Sequence, residues 1–378
     1  MDPYGPTAQR FPLVARFRPA CLPLGDRVRA IVGLVDNAVE TADQGLASAA
    51  YNQAALIASD LGLPDLAREL CHQHAASYLQ ACPLPGMSAI RGLEPVINLA
   101  RLQIRSGHAN EGRQAVLGLF EAVEAGAVAR FEGVTVPPDL TATDVDRHEV
   151  RAWLWRVLLA DGTRTFTMEG RWAEALAHLE AHHGVGKRML DGRQVAVLAA
   201  LVADDPTSAA ALLADTVPGE PWEQAVTACL TTLYRRAAGL PVDGNLADLV
   251  TSYSERPTEP GMTVFDIRLG HTVLDTIDST DVRGAARIVE ELHRRMMAAE
   301  DGYAARENLA NPLFAALATE RQERDCRALV QACALGVGTM PHELRGQLTA
   351  ALRAGGTVIR QSLTRSLGPG LTAPAGPV

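Results

Sequence analysis

Three segments of this 378-residue chain share one pattern: a helix, a glycine turn, then a second helix with an almost side-chain-free residue five positions after the glycine. The pairs are Gly62 and Ala67, Gly107 and Gly112, and Gly170 and Ala175. They lie in "YNQAALIASDLGLPDLARELCHQHA" (51–75), "INLARLQIRSGHANEGRQAVLGLF" (97–120) and "RTFTMEGRWAEALAHLE" (164–180). Each segment reads as a helix, a glycine turn and a second helix. A small residue at that second-helix position lets the two backbones approach closely, because no side chain holds them apart. The pattern therefore constrains the chain to antiparallel helical hairpins.

Elsewhere the periodicity is helical as well. Val282, Ala285, Val289, Leu292 and Met296 recur at steps of three and four, the spacing of a buried helix face. Ser279 or Thr280 can cap that helix, and Asp281 suits its first turn. Pro221 and Gly239 bracket one further helix, and Pro341 and Gly355 another. Strand-like alternation is nearly absent; "FEGVTVPPDL" (131–140) carries two prolines and reads as a loop. Aromatics are only 4% of the residues, so the core rests on Leu, Val and Ala, which favours closely packed helices.

The third hairpin resembles a tetratricopeptide repeat. Gly170 matches that family's turn glycine, Trp172 the aromatic two positions later and Ala175 the small second-helix residue. Leu179 matches the large second-helix residue and Phe166 the first-helix aromatic. One repeat length of roughly 34 residues beyond Gly170 stands Asp204 in "ADDPTSAAALL", with Ala209 in the small position, a weaker fourth match. The resemblance covers about half the chain. It implies an all-α fold: a right-handed superhelix of antiparallel hairpins, an α-solenoid whose first helices line a concave face. The array departs from strict repetition. Gly62 to Gly107 is 45 residues, Gly107 to Gly170 is 63, Asp161-Gly162 interrupts a first helix, and pairing is irregular beyond residue 215. The expected organisation is an extended proline-rich arm over 1–25, tetratricopeptide-like hairpins over 26–216, further hairpins over 217–364 and a disordered Gly/Pro tail over 365–378. The arm is expected to pack through Phe11, Phe17 and Leu22.

Composition excludes several function classes. A formal net charge of -9 argues against non-specific nucleic-acid binding, which needs a basic surface to displace counterions from phosphates. Only Lys187 breaks a complete preference for Arg over Lys, a bias typical of GC-rich genomes such as those of actinobacteria. The six cysteines form no C-x-x-C and sit among apolar residues, as buried thiols of a reducing compartment do. The N-terminus has no apolar signal region, and the longest apolar stretch (195–203) is far short of the roughly 20 residues a membrane span needs. A cytoplasmic protein with no membrane partner is expected.

Candidate chemistry is sparse. "HHGVGKRML" (182–190) fails as a phosphate loop: Ala181 and Arg188 stand where a glycine and a Ser or Thr are required. It reads as a glycine-broken link between hairpins. His178 and His182 are four apart on one helix face, a workable pair of metal ligands that still wants a third. Cys71, His74 and Tyr78 read as a buried stripe. "DRHEVRAWLWR" (146–156) offers His148 and Glu149 for acid/base work; as structure it is a helix N-terminus with Trp153 or Trp155 in the core. "ADDPTS" (203–208) reads as a turn.

No cofactor is implied. The resemblance instead points to the concave face, whose inward positions would be Asn52 and Gln53, then Asn98, Arg101 and Arg105, then Arg164 and Thr167. Asn and Arg at such positions resemble the carboxylate grip of peptide-binding tetratricopeptide domains, since an arginine fork can hold a carboxylate at two points. The expected function is a non-catalytic protein- or peptide-interaction module whose partner carries an acidic or C-terminal carboxylate; a homodimer is open to it. Two alternatives stand beside it. One is a peptide-responsive regulatory receptor. The other is a helical enzyme or accessory protein of bacterial specialised metabolism, using His148, Glu149 or His178.

Overall fold

The computed structural model describes residues 1–277 and 282–366. Helices account for 73% of the chain and strands for 2%, so the protein is all-α. In chain order the first helices are α1 (Pro6–Arg10), α2 (Leu24–Thr41), α3 (Gln44–Asp60), α4 (Pro64–Leu79), α5 (Gly86–Arg105) and α6 (Ala109–Ala125). A two-stranded antiparallel hairpin follows, β1 (Ala129–Phe131) and β2 (Val134–Val136). Then come α7 (Asp144–Val157), a π-helical turn (Leu158–Gly162), α8 (Thr163–Met168), α9 (Trp172–Ala181), α10 (Asp191–Val202) and α11 (Pro206–Ala214). The remainder is α12 (Pro221–Ala237), α13 (Asp243–Glu255), α14 (Thr263–Thr276), α15 (Val282–Ala299), α16 (Gly302–Ala310), α17 (Pro312–Leu317), α18 (Glu320–Ala332) and α19 (His342–Ser366). None of the described helices is long and apolar enough to cross a membrane.

The turn-and-small-residue pattern has a direct structural meaning. Gly62, Gly107 and Gly170 adopt φ of +79°, +91° and +68°, the left-handed region that glycine enters without strain. Asp204 makes the same turn at φ 57°, where an Asp is tolerated better than most residues. Five positions on, Ala67, Gly112, Ala175 and Ala209 are all buried against the preceding helix. The approach is closest at Gly112, where a Cβ would stand 2.6 Å from the Ala100 carbonyl oxygen. The hairpins α3–α4, α5–α6, α8–α9 and α10–α11 follow from these contacts.

The chain divides into two compact units, and each is discontinuous in sequence. Unit 2 comprises Leu24–Leu158 and Gly336–Val378. In it α2 to α7 pack in succession, and the C-terminal helix α19 returns to lie against α2 and α3. Unit 1 comprises Met1–Pro23 and Leu159–Leu335. Its core runs from Phe11 and Leu13 of the N-terminal arm through Trp172, Val195, Leu198, Leu230, Ile267, Ile288 and Leu292 to Phe314. The arm is tied down by polar contacts too: the Gln194 side chain accepts from the Leu13 N–H (2.7 Å) and donates to the Leu13 carbonyl (2.8 Å).

Several local expectations are corrected. The arm contains the short helix α1, because Pro6 sits in a first turn where its missing N–H is no loss. Phe17 does not join the core; its ring lies on Gly261 and is 70% exposed. Residues 129–136 form a hairpin around Gly133 instead of a loop, since Pro137 and Pro138 fall just beyond the pairing. Helix α19 does not stop at Gly355 but runs to Ser366; Gly356 is where the Tyr51 hydroxyl packs, 2.9 Å from the position of a Cβ. Helix α5 begins eleven residues before the "INLA" segment and continues through Pro95. In α7 the core residues are Val150 and Leu154, while Trp155 is exposed. The cap expected at Ser279 or Thr280, Asp281 beside it, and the tail beyond residue 366 lie outside the described residues.

Candidate functional site

Helix α5 carries Arg91, Glu94, Asn98, Arg101 and Arg105 at steps of three and four, so these side chains share one helix face. That face meets α3. Within unit 2 the two helices are joined by a directional chain of hydrogen bonds. Arg101 Nη1 donates to Asn98 Oδ1 (3.2 Å), Asn98 Nδ2 to Asn52 Oδ1 (3.1 Å), and Asn52 Nδ2 to Glu94 Oε2 (2.6 Å). Farther along the same face, Arg105 Nη1 donates to Ser59 Oγ (2.6 Å). Asn52, Glu94, Asn98 and Arg101 are half-buried and Arg105 is exposed.

The chain has one acceptor-only end. Burial raises the Glu94 carboxyl above its ordinary value, and the Asn52 amide with the charges of Arg91 and Arg101 oppose that rise. Three arginines therefore bracket a single carboxylate along about four helical turns. Each asparagine uses both its amide hydrogens' side and its carbonyl in the chain, so the rotamers of Asn52 and Asn98 are fixed before anything binds. Local sequence explains the placement. Leu93, Val96, Ile97, Leu99 and Ala100 fill the buried faces of α5, leaving the polar residues one lane toward α3.

Four of the seven residues expected on the inward face, Asn52, Asn98, Arg101 and Arg105, thus come together. Gln53 is half-buried beside Asn52 and outside the chain of hydrogen bonds. Arg164 belongs to unit 1, on α8. Its side chain is solvent-accessible yet ringed by protein: desolvation and the like charges of Arg268 and Arg16 pull its guanidinium down to about 10, with Glu307 and Asp161 opposing. It remains a cation at neutral pH. Thr167 is buried and donates to the Arg164 carbonyl (3.2 Å), so it faces its own helix. Glu94 and Arg91 were not among the expected residues; their spacing of four and seven from Asn98 was the available signal.

The catalytic and metal candidates do not assemble. His148 and Glu149 are exposed on α7, where Glu149 lies against Gly86. His178 packs its ring on Phe166 (centroids 5.8 Å apart) and over Gly162, where a Cβ would stand 2.7 Å from Nε2. His182 meets His178 edge-on at 4.9 Å. Among the described residues no three His, Cys, Asp or Glu side chains are grouped to hold a metal ion. The Cys71, His74 and Tyr78 stripe is buried, with His74 bonded to Ser48 (2.9 Å) and stacked on Tyr51 (5.1 Å). Lys187 pairs with Asp215 at 3.0 Å on the surface of the link after α9. All six cysteines are free thiols, five of them buried.

Set against protein-family models, curated proteins and solved structures, the chain matches none.

Proposed function

We propose that this chain is a non-catalytic helical-repeat binding protein of the tetratricopeptide type, and that the polar lane between α3 and α5 receives a peptide bearing a free carboxylate. The observation that carries the reading is the chain Arg101–Asn98–Asn52–Glu94. A network that spans the first helices of two successive hairpins holds its donors in fixed positions. Arginine presents five N–H donors in a rigid fork, so Arg101 and Arg105 can each grip a carboxylate beside the bonds they already make. In this reading the hairpins build a right-handed superhelix whose first helices form the inner wall, a compartment-neutral architecture for recognising extended segments.

The test is a peptide array carrying paired sequences with free and amidated C-termini, probed with the full chain and with Arg101→Ala and Arg105→Ala. Free-carboxylate peptides are expected to be retained preferentially, with affinity falling about tenfold in each variant, the size of a charge-assisted hydrogen bond at a partly solvated site. Equal retention of amidated peptides, or retention indifferent to both substitutions, removes this assignment.

A further inference from the structure

A second polar surface of unit 2 is lined by residues that take no part in the lane just described. Tyr51 of α3, Gln73, Ala76, Ser77 and Gln80 along α4, and Arg353, Thr357 and Arg360 of α19 enclose a groove of about 390 Å³. No Asp or Glu lines it. Arg353 and Arg360 are both exposed, and neither forms an ion pair among the described residues. Both cations stand without an acidic residue in the groove lining, in a chain whose formal net charge is -9.

The hydroxyls around them have their protons committed elsewhere. Tyr51 donates to the Leu352 carbonyl (2.9 Å), Ser77 to the Gln73 carbonyl (2.9 Å) and Thr357 to the Arg353 carbonyl (3.1 Å). Gln73 turns its amide to Glu69, one turn back on α4 (3.1 Å). The donors the groove still presents to a ligand are the two guanidiniums and the amide of Gln80. Arg360 leans on Thr357 Oγ1 (3.3 Å), and its charge acts on the Tyr51 phenol at the groove floor. Seven residues separate the two arginines, two turns or about 10 Å along the axis, a span that two long side chains can close around one anion. The ligand that fits is rich in acceptors and carries close to two negative charges, which is the chemistry of a phosphomonoester at neutral pH.

We propose that the groove between α3, α4 and α19 binds a phosphoryl group, gripped from opposite ends by Arg353 and Arg360 with Gln80 as a third donor. The group can arrive on a small phosphorylated molecule or on a phosphorylated side chain of a partner, and the two sources separate by experiment. The full chain is titrated by calorimetry with inorganic phosphate, with phosphoserine, and with a short phosphoserine peptide and its unphosphorylated twin. The same titrations are run on Arg353→Ala, Arg360→Ala, the double variant, and Arg345→Ala as a control outside the groove on the same helix. Saturable binding of a phosphorylated probe is expected, weaker by about tenfold in each single variant and lost in the double, with Arg345→Ala unchanged. Binding should also weaken as ionic strength rises. A phosphopeptide that binds more tightly than free phosphate assigns the site to a protein partner; equal affinities assign it to a small ligand. The proposal is overturned if no phosphorylated probe saturates, or if the double variant binds them as the parent does. Because both guanidiniums stand in solvent, an unchanged far-ultraviolet circular dichroism signal in every variant shows that a loss of binding is not a loss of fold. Failure of the α3–α5 lane in the peptide array leaves this outcome untouched, since the two tests share no residue.

Discussion

Gly112→Ala is expected to destabilise unit 2, although alanine is the better helix former. The residue sits inside α6, where its Cα faces α5. An added Cβ would stand 2.6 Å from the Ala100 carbonyl oxygen and 2.6 Å from Ile104 Cγ1. Carbon contacts are favourable at about 3.5–4.0 Å, so α5 and α6 would have to part by roughly 1 Å at their closest point. Overpacking of this kind costs about 1–3 kcal/mol, and the helix propensity gained on replacing glycine returns about 1 kcal/mol. The net loss is up to about 2 kcal/mol. Gly118 supplies the internal reference. It lies in the same helix with nothing within 4 Å of its Cβ position, so Gly118→Ala should stabilise by about 0.5–1 kcal/mol. Urea unfolding followed by circular dichroism reads both; with a slope of about 2 kcal/mol/M, the midpoints of the two variants should differ by roughly 1 M in the predicted order. If Gly112→Ala shifts the midpoint upward as Gly118→Ala does, the backbones are not in the contact that makes this hairpin, and the reasoning about the small residue fails.

Four further outcomes follow from the same packing. Burial pushes His74 down to about 3, and burial with the nearby Arg10 charge pushes His271 down to about 4; the unfolded imidazoles titrate near 6.5. The unfolded chain thus binds the extra protons, so stability is full above pH 6.5 and declines as the pH falls below it, by up to about 1.4 kcal/mol per histidine per pH unit. Unfolding midpoints at pH 7 and pH 5 should show this, with His74→Gln flattening the profile of unit 2; parallel profiles would speak against it. Arg295→Met should destabilise unit 1 by about 3–5 kcal/mol, because Arg295 is buried and bonds the Arg256 carbonyl (2.7 Å) and the Tyr253 carbonyl (3.0 Å) while facing Asp266; a midpoint shift under 1 kcal/mol would mean the network is dispensable. Asp204→Gly should raise stability by about 1 kcal/mol by relieving a left-handed φ, whereas Gly107→Ala, at φ +91°, should lower it by a similar amount; thermal unfolding of the pair tests the sign. Gly356→Val should loosen α19 from α3, because its Cβ would crowd the Tyr51 hydroxyl, and limited proteolysis should then release the C-terminal helix faster than in the parent.

Much of the candidate lane was legible, for a particular reason. Asn98, Arg101 and Arg105 are spaced to share a helix face, and the face follows from which neighbours are apolar. Glu94 lies three residues before Ile97, where the repeat-like segment begins, on the part of α5 that precedes it. Proline usually ends a helical pattern, but here the chain before it is helical as well, so one missing N–H was tolerated within a long, well-packed helix. His178 and His182 show the opposite limit. Their spacing suits two ligands, and only the fold shows that the first ring packs on Phe166 and over Gly162.

Local chemistry wrote the hairpins. Turn glycines, the Asp204 turn and the small residues five places on act over a few bonds, and an α-helix satisfies its backbone within itself, so these features need no distant partner to be recognised. The polar exchange between Asn52 and Asn98, the return of α19 to α2 and α3, and the burial of the N-terminal arm in unit 1 join residues far apart in the chain. Nothing in a local window encodes which apolar stripe meets which. Helices with similar Leu, Val and Ala faces are interchangeable by pattern, and only the complementarity of whole surfaces selects the pairs. That selection placed Arg353 and Arg360 beside Tyr51 and Gln80, and with it decided that a C-terminal helix furnishes one wall of an anion-binding groove.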